Sequence, residues 1–367
     1  LKTVVVARVD SIYERARLYK LCKLLDRCGK DFVVWKLPPK GVQQGQAGER
    51  WNEISLISFR WRRFGMGIEY LVWAVAVLAR VLLSSRENKY YCLAFESAFP
   101  VALIRGRRGA FFFDNADNFA SSHKWPHFAK LFFQAAERFI AARAKVHLVP
   151  GESRWPVRDS NLRVVKNTPS KKVYDSAVCI ARDRHYERGV EFTLYVNGWL
   201  SGTRGIATLL KALNVLEESG RKVNVLIAGR SNSPEGDLLI KHSFAEYLGP
   251  VSNEEALACC YRADLVFTFY DPSIPINVVA EPNKWGDCVA TGTPFLANSE
   301  IETAKPFYQS GCCFLTPYAD YQKLAELLWD LKVSSEKLEL ARSAIGNQDF
   351  VFWDDAMERV LDEWISG

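Results

Sequence analysis

Two stretches in the second half of the chain carry residue types suited to binding phosphate and ribose. Asn197-Gly198-Trp199-Leu200-Ser201-Gly202-Thr203-Arg204-Gly205 follows an apolar run and precedes a segment of helical periodicity. Glycines at such a junction let backbone N–H groups approach a phosphate closely, while the helix N-terminus and Arg204 add partial and full positive charge. A Gly-rich strand-to-helix loop is weakly diagnostic by itself. The second stretch is more distinctive: Tyr270-Asp271-Pro272-Ser273-Ile274-Pro275-Ile276-Asn277, then Glu281-Pro282-Asn283-Lys284-Trp285-Gly286-Asp287, then Ala290-Thr291-Gly292-Thr293-Pro294. Its order reads strand, polar loop, helix, tight turn, strand. Lys284 falls in the first helical turn, close to any diphosphate bound there, and Asp287 one turn later can accept hydrogen bonds from ribose hydroxyls. The plainer alternative is an i, i+3 surface pair worth about 0.2–0.5 kcal/mol.

A second set of candidates lies in the first half. Asp10, Glu96, Asp114 and Asp117 fall at or just beyond the C-terminal ends of expected strands. In an open α/β sheet that edge faces the ligand crevice. Their catalytic reading, for a group transfer, gives Asp114 and Asp117 to the side of the departing group and Asp10 or Glu96 to the side of the accepting hydroxyl. A base that activates a hydroxyl must lie within hydrogen-bond reach of it. The competing reading makes them helix N-caps and turn residues.

Metal chemistry has little support. The nine cysteines show neither a C-x-x-C spacing nor a disulfide framework, and read as reduced, buried thiols of a cytoplasmic protein. His123 and His127 share an i, i+4 spacing but have no third ligand, and no Asp-x-Asp pair is present. No metal and no cofactor are expected.

The elements that must position these residues alternate. Residues 2–9, 31–36, 54–59, 90–94, 109–113 and 145–149 read as strands, with helices over 13–27, 68–83 and 126–142 and a loop over 37–48. The second half repeats the scheme. Strands are expected over 192–197, 223–228, 244–248, 265–269, 294–297 and 313–316, with helices over 206–219, 254–262, 285–290 and 321–332. Alternation of this kind gives parallel sheets with helices on both faces, hence an α/β chain of two Rossmann-like domains. Turn chemistry and charge place the boundary within 166–183. The expected division is 1–173 for a first domain, 174–347 for a second, and 348–367 for a terminal helix.

Charge is unevenly spread. Residues 1–180 carry 31 Lys and Arg against 15 Asp and Glu, whereas residues 181–367 carry 17 against 27. Such asymmetry points to an anionic partner for the first domain. No nucleic-acid-binding motif accompanies it, so nucleic acid is not expected. An anionic lipid surface or a phosphorylated glycan fits the charge equally well. The apolar run 71–79 is far shorter than the roughly 20 residues of a spanning helix. It reads as a buried helix or as part of a membrane-docking face, the latter favoured by Arg60, Arg62 and Arg63 interleaved with Trp61 and Phe64.

The ordered motifs resemble those of the large family-4 type of GT-B-fold glycosyltransferases, especially those of polysaccharide and lipopolysaccharide synthesis. Residues 197–213 resemble that family's Gly-Arg…Lys-Gly loop and helix. Residues 225–229 and Tyr247-Leu248-Gly249-Pro250-Val251 resemble its strand-Gly and Phe-x-Gly-x-Val segments. Pro282-Asn283-Lys284…Asp287…Gly292-Thr293-Pro294 resembles its Pro-Asn-Lys variant motif. In the first half, Phe111-Phe112-Phe113-Asp114 resembles a central strand ending in Asp. Residues 145–153 and 164–169 resemble the entry to the linker, and 350–364 the helix that crosses back to the first domain. Three positions depart from the pattern: Trp199 stands for the usual Arg, Val279 for the first acid of a pair, and Ala116 for a His.

The resemblance implies two parallel-sheet domains facing across a cleft, and a metal-independent, retaining hexosyl- or deoxyhexosyltransferase. It implies a nucleotide-sugar donor, a glycan or lipid-linked glycan acceptor, and peripheral contact with the inner face of an anionic cytoplasmic membrane. It assigns donor binding to Gly198, Arg204, Gly205, Gly229, Arg230, Gly249, Asn283, Lys284 and Asp287. The alternatives are a sugar-nucleotide epimerase of the same fold and a catalytically dead nucleotide-sugar-binding module.

Overall fold

The computed structural model describes residues 2–13, 15–39, 51–58, 65–106, 110–122, 125–189 and 191–366. The chain divides into two units, Leu1–Val165 with Asp354–Gly367, and Lys166–Trp353.

Seven strands form the first sheet: β1 (Thr3–Ala7), β2 (Phe32–Lys36), β3 (Glu53–Ser55), β4 (Lys89–Leu93), β5 (Phe111–Asp114), β6 (Val146–Val149) and β7 (Leu162–Val164). All are parallel, in the order β3-β2-β1-β4-β5-β6-β7. Strand direction of growth therefore reverses between β1 and β4, the switch point where such sheets bind ligands. Val4, Val5 and Val6 are all buried, as expected for a central parallel strand covered on both faces. Val4, Val6, Tyr90, Cys92, Phe111 and Phe113 share one core with residues of three helices, Met66–Leu83, Phe95–Arg105 and His127–Arg143. On the opposite face Tyr91 stacks on Phe112 at 4.6 Å, and both rings meet the edge of Trp364 at 6.4 and 5.6 Å. That contact seats the terminal helix Trp353–Ser366, whose Asp354 also pairs with Arg27 at 3.0 Å. The last helix thus crosses back to the first domain.

The second sheet comprises β8 (Thr193–Leu200), β9 (Asn224–Ser231), β10 (Ala245–Tyr247), β11 (Leu265–Phe267), β12 (Phe295–Asn298) and β13 (Cys313–Thr316). It is parallel in the order β10-β9-β8-β11-β12-β13, with its switch point between β8 and β11. Alternation sorts its two faces. Leu194, Val196, Val225, Ile227, Leu265 and Phe267 join one core, and Tyr195, Leu226, Ala228, Val266 and Phe295 the other.

Several elements differ from the sequence reading. The helix Phe95–Arg105 carries Pro100 within it, a residue that ordinarily argues against helix interior. The turn chemistry around residue 170 is a helix start: Ser170 caps the helix Lys171–Asp183 by accepting the Val173 N–H. The expected division at 173 falls inside that helix, which packs Ala177 and Ala181 against Leu257 and Ala258 of the second unit. The division lies at Val165, eight residues earlier, and the return lies at Asp354 rather than 348. The delay follows from an unanticipated helix, Ser335–Gly346, and from Trp353, whose N–H donates to the Pro169 carbonyl at 3.1 Å. Strand β7 was likewise not anticipated. Residues 40–48 of the expected loop, the 60–64 basic cluster and His123 lie outside the described residues.

Candidate functional site

Strands β8 and β9 run side by side for eight residues, bringing Gly198 opposite Gly229. A Cβ on Gly229 would fall 1.9 Å from the Gly198 carbonyl oxygen, and its φ of +147° is itself a glycine conformation. Only glycine permits this approach. The Gly229 N–H donates to the Gly249 carbonyl at 2.9 Å, and the Tyr247 hydroxyl donates to the Gly229 carbonyl at 2.9 Å. The three glycines picked from sequence therefore form one floor across the ends of β8, β9 and β10.

Beyond β8 the chain makes a tight turn, Gly202–Arg204, and enters the helix Ile206–Glu218 through Gly205. Gly205 has φ +67°, and a Cβ there would lie 2.6 Å from Phe269 Cβ. Its N–H donates to the Tyr318 hydroxyl at 3.2 Å, which donates in turn to the Gly202 carbonyl at 3.0 Å. The Asp271 N–H donates to the Thr203 carbonyl at 3.0 Å. These bonds tie the turn to the loops after β11 and β13, the first of them across the switch point. Arg204 emerges there with its guanidinium 4.3 Å from the centre of the Tyr270 ring, a cation–π contact that fixes the side chain without neutralising it.

Lys284 approaches from the helix Asn283–Thr291. Its Cε and Nζ lie 3.8 and 4.0 Å from where a Gly198 Cβ would be. The helix is anchored by Trp285, which stacks on Phe295 at 5.0 Å and donates to the Thr268 hydroxyl at 3.0 Å. Gly286 lets residues 167 and 168 press on the same helix, since a Cβ there would fall 2.3 Å from the Asn167 carbonyl oxygen. Burial of its ammonium end, then repulsion from Arg204, pulls the Lys284 pKa down to about 7, against smaller opposing effects of Cys288 and Asp287. Part of the residue remains exposed. Arg204 and Lys284 have no ion-pair partner among the described residues, so the repulsion between the two cations is only partly offset. An anion between such groups relieves the repulsion, and two positive charges with adjacent backbone N–H groups suit a diphosphate.

The other donor-side residues are more peripheral. Asp287 is half-buried one turn beyond Lys284, while Asn283 and Arg230 are exposed. Arg230 lies opposite Trp199, which is 56% exposed. The sequence motifs include Tyr247 and Tyr270 without giving either a role, and Tyr318 lies outside them. Tyr318 is 113 residues from the glycine it holds, and no local pattern signals such a partner.

The carboxylates of the first unit are engaged differently. Asp114 is fully buried; its oxygens lie 2.8 and 2.9 Å from Arg17 Nε, and Oδ2 accepts the Tyr91 hydroxyl at 2.5 Å. Burial and the neighbouring Asp114 raise the Tyr91 pKa well above its ordinary value, which keeps the phenol a donor. With no exposed surface and a fixed counter-ion, Asp114 ties the helix carrying Arg17 to the end of β5, a structural role beside the catalytic one expected from sequence. Glu96 accepts from Arg8 Nε at 3.2 Å, and Arg8 also reaches Glu69 at 3.3 Å and the Tyr70 hydroxyl at 2.8 Å. Arg8 and Glu69 had not been singled out. The Asp10 carbonyl accepts from Lys36 at 3.1 Å, and Asp117, largely exposed, lies 3.8 Å from Arg154. Asp10 and Glu96 thus sit at the β1–β4 switch point, whereas Asp114 and Asp117 follow β5. Among the described residues no group of three or more His, Cys, Asp or Glu is placed to hold a metal ion.

No protein-family model and no curated protein sequence matches the chain. Solved structures do. The chain is similar over its whole length to a sucrose-phosphate synthase from Thermosynechococcus elongatus, at TM-score 0.69 and 12% identity, covering 99% of that chain. It is similar to HepE of Anabaena in complex with UDP, at TM-score 0.66 and 14% identity, covering 100% of this chain and 98% of that one. A putative UDP-N-acetylglucosamine 2-epimerase from Listeria monocytogenes matches at TM-score 0.64 and 10% identity, covering 100% and 97%. At these identities the likeness is one of fold. The chain has the GT-B fold.

Proposed function

We propose that the protein is a glycosyltransferase that moves a sugar from a nucleoside-diphosphate donor to a glycan or lipid-linked glycan acceptor in surface polysaccharide synthesis. One observation carries this reading: Arg204 and Lys284 meet at the Gly198–Gly205 turn, at the carboxyl edge of the second sheet, with no ion-pair partner among the described residues. Donor cleavage breaks the bond between the anomeric carbon and a β-phosphate oxygen, so negative charge grows on that phosphate. Fixed cations and N–H groups aimed there stabilise the transition state more than the ground state. The second domain holds the nucleotide, with Asp287 toward the ribose and Gly229, Arg230, Gly249 and Asn283 around it. The first domain presents the acceptor near Asp10 and Glu96. In a retaining transfer the acceptor hydroxyl yields its proton to the departing phosphate, so these carboxylates position rather than deprotonate.

Similarity to a structure containing UDP and the shared fold support this reading. The epimerase of the same fold supplies the rival. Incubation with nucleotide sugars, with and without acceptor glycans and in excess chelator, separates them. Acceptor-dependent sugar transfer that survives chelation is the expected result. Epimerised donor formed without acceptor would replace the proposal, and no turnover with intact nucleotide binding would leave a binding module.

A further inference from the structure

Trp199 stands next to last in β8, one residue beyond the glycine that Lys284 approaches. It is the only exposed tryptophan among the described residues. Its indole makes no hydrogen bond, ring stack or cation–π contact among them. A single exposed apolar side chain needs no explanation in itself. The surroundings of this one set it apart. Arg is usual at this position in the family that the motifs resemble, so an indole here is this chain's own feature.

Strand alternation fixes the direction in which the indole points. Leu200 enters the core beneath the helix Ile206–Glu218 together with Leu194 and Val196, so Trp199 turns to the other side of the strand with Tyr195. The helix Asn283–Thr291 packs on that same side through Trp285 and Cys288, and carries Lys284 and Asp287. The ladder sets exposed Arg230 directly opposite Trp199, one step beyond the Gly198–Gly229 pair. Neither glycine puts a side chain into the space beside the indole. Tyr247, 38% exposed, borders the same floor by donating its hydroxyl to the Gly229 carbonyl. A floor of bare backbone is thus edged by an indole, a guanidinium and a phenol.

All three groups present flat π faces, and indole and guanidinium both stack on planar aromatic ligands. Indole and guanidinium are also donors without acceptor atoms. They match the ring carbonyl and imine acceptors of a nucleobase better than a puckered sugar, whose hydroxyls need acceptors as well. Because the strand ladder holds the backbone, only the two side-chain torsions of Trp199 have to be ordered on binding.

We propose that Trp199 stacks on the nucleobase of the bound donor, with Arg230 at the edge of the base. The inference rests on the nucleotide-donor reading and adds to it the residue that recognises the base. Stacking serves any base, so Trp199 supplies affinity, and the choice among bases falls to hydrogen bonds at their edges.

The test is calorimetric titration of the full chain with UDP, GDP, ADP and dTDP, and with inorganic pyrophosphate as a probe that lacks a base. Trp199→Ala should weaken the best-bound nucleoside diphosphate by about fivefold or more, the scale of losing one stacked base. Pyrophosphate affinity should stay unchanged, and Trp199→Phe should retain most of the nucleotide affinity because phenyl still offers a face. The side chain is at the surface, so melting temperatures should stay close to the parent. Unchanged affinity of Trp199→Ala for every nucleoside diphosphate overturns the inference. So does an equal loss for pyrophosphate, which would make Trp199 part of the phosphate turn, and so does a loss confined to nucleotide sugars, which would place it against the sugar. In each of these outcomes the parent still binds nucleotide, and the donor reading stands. A parent that binds none of the four nucleotides overturns both together.

Discussion

At the end of β1, Arg8 lies 3.2 Å from Glu96 and 3.3 Å from Glu69, and Arg17 lies 2.8 Å from Asp114. At the matching end of β8, Arg204 and Lys284 find no such partner among the described residues. Both sheets have the same strand order around their switch points, so topology offers each a ligand edge. What differs is whether the protein neutralises its own cations there. In the first domain carboxylates do so internally, through the Arg8 and Arg17 pairs. In the second domain the cations repel each other, and the folded protein tolerates this at some cost in stability. Charge held against its own preference is a better sign of a ligand site than charge alone.

The contrast predicts opposite consequences for charge removal. Asp114→Ala should remove the main counter-ion of the largely buried Arg17 and destabilise the protein by about 3–5 kcal/mol. Denaturant unfolding measures this, and an unchanged midpoint would remove the internal-counter-ion account. Arg204→Ala/Lys284→Ala should leave stability unchanged or slightly raised while weakening nucleoside-diphosphate binding by roughly a hundredfold or more, given about 1.5–3 kcal/mol for each charge-assisted contact. Calorimetric titration reads the affinity directly.

Acidity sharpens the same comparison. Lys284 has a pKa of about 7 against an ordinary 10.5, so the unfolded chain binds more protons between those values. Stability of the free protein should therefore rise with pH across that window. Binding of an anion restores the protonated form and takes up a proton. Affinity for a nucleotide sugar, whose phosphates have no proton to lose there, should fall as pH rises through 7, approaching about tenfold per unit above it. Lys284→Arg should flatten this profile, and a slope that persists in that variant belongs to another group. The smallest effect is at the ribose: Asp287→Asn should lower nucleotide affinity by about 1 kcal/mol and shrink discrimination against 2′,3′-dideoxy-nucleotides.

How far the sequence could be read follows from how local each signal is. Buried β-branched and aromatic runs such as Val4–Val5–Val6 and Phe111–Phe112–Phe113 announce central strands. Lys284 and Arg204 were legible because each sits within a few residues of the turn or helix start that positions it. Helix Phe95–Arg105 was hidden by Pro100, and the helix after Ser170 by a cap that reads equally as a turn. Asp114 reads as catalytic from sequence because strand ends attract both catalytic and structural carboxylates. Only the distant Arg17 and Tyr91 decide between them, 97 and 23 residues away. Tyr318 and the Arg8–Glu69 pair are likewise products of tertiary packing.

The most direct test is a crystal structure with the nucleotide sugar that gives the largest thermal shift. The account predicts the diphosphate on the Gly198–Gly205 turn, with phosphate oxygens in hydrogen-bond reach of both Arg204 and Lys284. A nucleotide bound with its phosphates away from both residues would contradict it.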